Sequence, residues 1–362
     1  MKKVYALYLP QYHRTEDNDK WWGVNYTEWD AVKAAKSLYA GHNQPNVPLN
    51  NNYYDLSDES GSVWKWQADL ARQYGIDGFC IYHYWFKNSK QELQKPMEIL
   101  LNYKEIDINY FVCWANEPWK KTWYGNNYEI LVDQDYGGID EWKAHFEYLK
   151  DFFNDKRYVK IDNKPVIAIY KTASIEMLSE MKKVWNSLAR KIGYEGIYFI
   201  GAKTAFKQET RKNLIDEEYL FEPAYTLHYQ YPMTTNVKRI LLRLLKKTRN
   251  KVSRTKILEQ KESMPDLYKN IRLPDSNEVK CAFGICPGWD NTPRKQEKGC
   301  AFDGGSPDLF QNNLHKMLED TNGSDFIMIN AWNEWGEGAY LEPDEKNGYA
   351  YLESIKKAKD TD

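Results

Sequence analysis

Eight short runs of apolar, β-branched and aromatic residues recur along this chain, at 4–9, 78–85, 110–114, 166–170, 197–201, 219–224, 281–286 and 326–331. Runs that are apolar at nearly every position suit parallel strands covered on both faces. Between them, 63–74, 91–103, 140–153, 175–192 and 309–318 place apolar residues three and four apart, and Gly75 and Gly193 follow two of these segments. They read as covering helices. Eight such units in 362 residues predict an α/β fold, a single (β/α)8 barrel spanning 1–362, with inserted loop regions at 14–61 and 225–279. A doubly wound open sheet is the competing architecture, but no GxGxxG follows the first run and no GxxxxGK[ST] occurs.

Fifty Lys and Arg against 52 Asp and Glu give a net charge of −2, which excludes the strong positive field of a nucleic-acid binder. No apolar run reaches the roughly 18 residues that span a bilayer. The opening MKKVYALYLPQYH has neither the long apolar region nor the small-residue cleavage site of a secretory signal, so a cytoplasmic protein is expected. Five cysteines, most of them within apolar runs, read as reduced core residues; the pair Cys281 and Cys286 lacks the second pair of ligands that a zinc site needs. Aromatic residues make up 15% of the chain, more than packing requires, and flat rings with polar edges suit sugar ligands.

In a barrel the chemistry sits where the strands end. Tyr12 and His13 follow the first run, His83 and Trp85 end the second, and Trp114, Asn116 and Glu117 follow the third. Tyr225 follows the sixth, Trp289, Asp290 and Arg294 the seventh, and Asn333, Glu334, Trp335 and Glu337 the eighth. Glycoside hydrolysis needs two carboxylates, one to protonate the departing oxygen and one as base or nucleophile. Glu334 and Glu337 supply such a pair, Gly336 and Gly338 letting the backbone turn both toward one pocket, with Trp332 and Trp335 desolvating one carboxyl to raise its pKa. Serine hydrolysis has no GxSxG to anchor it. His13, His83 and Glu117 lack a metal-binding spacing such as HExxH, so neither metal nor organic cofactor is expected.

The segment 238–256 carries nine Lys or Arg, no acid, and the apolar cluster Ile240, Leu241, Leu242, Leu244 and Leu245. It predicts a basic amphipathic helix, either a covering helix with its apolar stripe turned inward or a peripheral contact with an anionic membrane.

The stretch NAWNEWGEGAYLEP at 330–343 resembles the end-of-barrel motif of glycoside hydrolase family 99, the endo-α-mannosidases and endo-α-mannanases. YLPQYH, WWGVNYTEW, QADLARQYGIDGFCIYHYWF, CWANEPW and NEWGEGAYLEPD resemble more closely the WbsX-type relatives of that family, which occur among bacterial surface-polysaccharide genes and are often labelled glycosyltransferases. The resemblance runs from Val4 to about Ala358. It implies that Glu334 deprotonates a sugar 2-hydroxyl and that Glu337 protonates the leaving oxygen, with retention through a 1,2-anhydro sugar. PGWDNTPR resembles the strand 7 loop of the family, which implies sugar contacts from Trp289, Asp290 and Arg294, and Asn333 fits the same role. The expected partner is an oligo- or polysaccharide, cleaved by a retaining endo-acting hydrolase. Transfer in surface-polysaccharide assembly, which needs a nucleotide-sugar site for which the loop triplet Asp133-Gln134-Asp135 is no clear DxD motif, and a non-catalytic sugar-binding barrel are the alternatives.

Overall fold

The structure, a computed structural model, describes residues 1–121, 129–211, 213–274 and 279–360. Eight strands pair in parallel and in chain order: β1 (Lys3–Tyr8), β2 (Gly78–Trp85), β3 (Asn109–Trp114), β4 (Lys164–Ile169), β5 (Tyr198–Lys203), β6 (Glu217–Leu220), β7 (Lys280–Ile285) and β8 (Phe326–Ile329). Pairing of β1 with both β2 and β8 closes the (β/α)8 barrel. The sixth strand ends earlier than its apolar run, because the chain turns away at Pro223, which has no N–H for a ladder.

In chain order the helices are α1 (Glu16–Trp22), α2 (Glu28–Ala34), α3 (Ser62–Gln73), α4 (Lys95–Asn102), α5 (Ile139–Phe153), α6 (Leu178–Lys191), α7 (Met233–Val252), α8 (Met264–Asn270), α9 (Thr292–Lys295), α10 (Pro307–Glu319) and α11 (Ala350–Asp360). Their starts follow local chemistry. The Ser306 side chain accepts from Leu309 N–H and Pro307 opens α10, while Thr27 N–H donates to Asp30 at 2.7 Å across the first turn of α2. The inserted regions are therefore partly helical: 14–61 holds α1 and α2, and 225–279 holds α7 and α8, its residues 275–278 lying outside the described ones.

Strand side chains alternate between the lumen and the helix layer. Tyr5 meets Phe111 and Phe326 inside the barrel with ring centres 5.2 and 6.0 Å apart. Above them the thiol of Cys113 lies 3.8 Å from the Tyr219 hydroxyl, and Tyr170 packs on Phe221 at 5.1 Å. The other parity faces outward: Tyr8 stacks on Trp64 of α3 at 4.5 Å and donates to Gln67 at 2.8 Å. All five cysteines are free and buried.

Candidate active site

The segment after β8 is gripped by β1. Trp332 N–H donates to Leu7 C=O at 2.7 Å, and the Asn333 side chain accepts from Leu9 N–H at 2.8 Å and donates to Leu9 C=O at 3.0 Å. A short hairpin then pairs Asn333–Glu334 with Ala339–Tyr340. Its turn needs a glycine at Gly338, where φ is +60° and an added β-carbon would lie 2.9 Å from Asp290. Gly336 serves differently from the expectation. Its φ is not left-handed, but a β-carbon there would sit 2.1 Å from a Glu28 oxygen and 2.8 Å from the Arg294 Nε.

That close approach marks the centre of the site. Arg294, on α9, donates from Nε to Glu28 at 2.5 Å, from one terminal nitrogen to Glu334 at 3.2 Å, and lies with the other 3.0 Å from Glu337. One guanidinium thus serves three carboxylates, from the loop after β1, and from the end of β8. Glu28 is fully buried, the Glu334 side chain is 9% exposed and that of Glu337 22%. Burial, with the charges of Glu337 and Glu28, pushes the Glu334 carboxyl up to about 8 against the opposing pull of Arg294. Burial likewise raises Glu28, and Arg294 is held well above its usual range by the surrounding carboxylates despite its own desolvation. Three acids on one base leave surplus negative charge in a desolvated place, which favours holding a proton near neutral pH.

Tyrosines surround the cluster. Burial first, and then neighbouring charges including Glu334, push the hydroxyls of Tyr12, Tyr82, Tyr84 and Tyr170 well above their ordinary range. Beyond Tyr84, the half-buried Trp119 packs edge-on at 5.3 Å and meets Trp21 at 5.9 Å, forming an aromatic wall at the rim.

Several expected sugar contacts are placed elsewhere. His83, Trp85 and Trp114 face α5: His83 shares a hydrogen bond with His145 at 2.8 Å, Trp85 stacks on the His145 ring at 4.5 Å, and Trp114 meets its edge at 4.8 Å. Burial pushes His83 down to about 3, so this imidazole pair is uncharged. The strand parity at the end of β2 is opposite to the one needed, and Tyr82 and Tyr84 take the lumen instead. Asn116 is a backbone clamp, accepting from Lys171 N–H at 2.8 Å and donating to Lys171 C=O at 3.0 Å, and Glu117 pairs with the Lys171 ammonium. Asn333 is the equivalent clamp on Leu9. Tyr225 packs outside the barrel with Leu220 and Cys281. Asp290 accepts from His42 and Gln44 at 2.8 and 2.6 Å, pinning the loop at 39–46, and Trp289 lines a cavity of about 420 Å³ with Tyr39, Asp303, Gly338 and Tyr351.

Tyr12 and Trp335 lie beneath the cluster: the Tyr12 hydroxyl accepts from Trp335 N–H at 2.9 Å, and the Trp335 indole donates to the buried Glu342 at 2.6 Å. His13 is buried toward Asp55 and Lys95, and burial pushes it down to about 4. His13, His83 and Glu117 thus stand apart. Asp133 and Asp135 flank exposed Lys87 at 3.7 and 3.8 Å.

Sequence reasoning missed Glu28, Tyr82 and Tyr170, and offered Tyr84 only alongside His83 and Trp85 at the end of the second run. The first lies inside WWGVNYTEW, where a Thr-Glu-Trp-Asp capping turn was the available signal.

Residues 4–355 match the model of the family described as Glycosyltransferase WbsX. The chain is 29% identical over 358 residues, 98% of its length, to the protein WxcX of Xanthomonas campestris pv. campestris, in each of two strains. It spans about half, 49%, of the length of these curated relatives. Among solved structures, the GH99 endo-α-mannosidase from Bacteroides thetaiotaomicron matches with a TM-score of 0.55 at 12% identity, covering 99% of this chain and 96% of that one. A glycoside hydrolase-like protein matches with a TM-score of 0.58 at 14% identity, covering 99% and 93%. At these identities the likeness is one of fold. With the family pattern running through all eight strands and the Arg294 cluster inside it, this chain belongs to the WbsX glycosyltransferase family.

Proposed function

We propose that the barrel is a retaining, endo-acting glycoside hydrolase that cleaves an α-mannoside-like linkage in a bacterial polysaccharide. The observation that carries this reading is the pair Glu334 and Glu337, both held on the Arg294 guanidinium at the C-terminal rim. Glu334 as carboxylate takes the proton of the sugar 2-hydroxyl, whose oxygen bonds to C1 while the bond from C1 to the leaving oxygen breaks. Glu337 gives its proton to that leaving oxygen. Water then attacks C1 of the 1,2-anhydro sugar, loses a proton to Glu337, and the 2-oxygen recovers its proton from Glu334. Two inversions at C1 give retention. Arg294 orients both carboxylates, and the wall of Tyr84, Trp119 and Trp21 supplies faces on which sugar rings stack.

A second reading, glycosyl transfer in surface-polysaccharide assembly, is favoured by the family's description. The same carboxylates serve it when an acceptor hydroxyl replaces water, since charge develops at C1 in the same way. The test is turnover of polysaccharides and activated glycosides by wild type, Glu334→Gln and Glu337→Gln. The expected result is release of reducing ends by wild type, and loss of about 10²-fold or more in each variant. Consumption of a nucleotide sugar, with no glycoside cleaved by wild type, would overturn hydrolysis in favour of transfer.

A further inference from the structure

The helix α7 is mounted inside out. Its polar side faces the body: Arg239 pairs with Glu262 at 2.8 Å and donates to Leu227 C=O at 3.0 Å, and the buried Asn250 donates to Ile257 C=O at 2.7 Å and accepts from Ile257 N–H at 2.9 Å. Asn236 holds the same side, donating to Tyr231 C=O at 3.3 Å. The opposite face presents Val237, Ile240, Leu241, Leu244 and Leu245, spaced at helical periods, with exposures from 51 to 68%. In α5, by contrast, Trp142, Phe146, Leu149, Phe152 and Phe153 are all buried. An amphipathic stripe turned to water loses the burial that ordinarily holds a surface helix in place.

Charge says what covers it. Lys238, Arg243, Lys246, Lys247, Arg249 and Lys251 share the helix with no acid, and among the described residues no carboxylate pairs with any of them. The whole chain carries only −2, so this helix concentrates positive charge on one side of an otherwise near-neutral molecule. A second copy of α7 laid against the first would oppose two rows of cations. A surface that both takes up apolar side chains and neutralises the basic residues flanking them is an anionic bilayer, into whose interface such a helix sinks its apolar face. We propose that α7 docks the protein on the surface of a membrane rich in anionic lipid. The assignment concerns this helix and not the carboxylate cluster, and it needs no activity readout.

The experiment is co-sedimentation of the full chain with vesicles of phosphatidylcholine alone or with about a third phosphatidylglycerol, at low and high salt. Wild type is expected to sediment with the anionic vesicles only, and to be released by salt. Leu241→Ser with Leu244→Ser should weaken binding by at least about tenfold, and Lys238→Gln with Lys247→Gln by about fivefold per charge removed. Both pairs are solvent-exposed, so an unchanged melting temperature reports an intact fold. Failure of wild type to sediment at low salt would overturn the proposal, as would equal binding by the leucine variant. A wild-type dimer in light scattering that the leucine variant abolishes would overturn it in favour of self-association.

Discussion

Two places on the C-terminal rim of this barrel carry the same dipeptide. Asn116-Glu117 follows β3 and Asn333-Glu334 follows the β8 end, and each asparagine clamps the backbone of the next strand's end at the same 2.8 and 3.0 Å, on Lys171 and Leu9 respectively. The glutamates then diverge. Glu117 stands at the rim with 35% of its side chain exposed, paired with Lys171, one base for one acid. Glu334 is 9% exposed, and shares Arg294 with Glu28 and Glu337. Sequence local to the two sites is alike; depth and the ratio of acids to bases differ. It is that difference that pushes one carboxyl up to about 8.

The comparison can be broken hardest at the cations. Arg294→Met leaves three carboxylates unbalanced in a buried place and is expected to cost about 3–5 kcal/mol in denaturant unfolding, whereas Lys171→Met at the more exposed pair should cost less than about 1 kcal/mol. Next come the acids: Glu334→Gln should lower turnover of a cleaved glycoside by about 10²-fold or more, and Glu117→Gln by less than about tenfold. The clamps should behave alike. Asn116→Leu and Asn333→Leu each strand a buried N–H and C=O, at about 1–3 kcal/mol apiece, and a much larger loss at one position would show that its asparagine does more than clamp.

The smallest effect is the sharpest. With Glu334 as the base, it must be ionised in the free enzyme, so kcat/KM should rise with pH through about 8. Because the Glu28 charge raises this carboxyl, Glu28→Gln should move the rise downward by about one unit, and Glu117→Gln should leave it in place. A profile that falls through the same pH would exchange the roles of Glu334 and Glu337.

Much of the site was legible at the end of the chain, where NEWGEG puts two carboxylates and two glycines within a few residues. Less was legible at β2. HYWF offers an imidazole, a phenol and an indole in succession, and only the direction of the Cys80 and Tyr82 parity says that Tyr84 enters the lumen while His83 and Trp85 turn to α5. Glu28 was hidden for another reason: its partner Arg294 is 266 residues away in sequence, and nothing in the neighbourhood of either announces the other.

What the sequence by itself determined is therefore the barrel and the place of its terminal carboxylates. Continuous apolar runs demand cover on both faces, and eight of them with intervening helices close on themselves. Tertiary structure alone decided which parity of each strand reaches the mouth, which cation three distant acids share, and which way α7 faces. The physical reason is the same in each case. A strand has two faces and a helix two sides, and local composition marks them as different; which one meets the core, a distant charge or water is settled only when the rest of the chain packs against it.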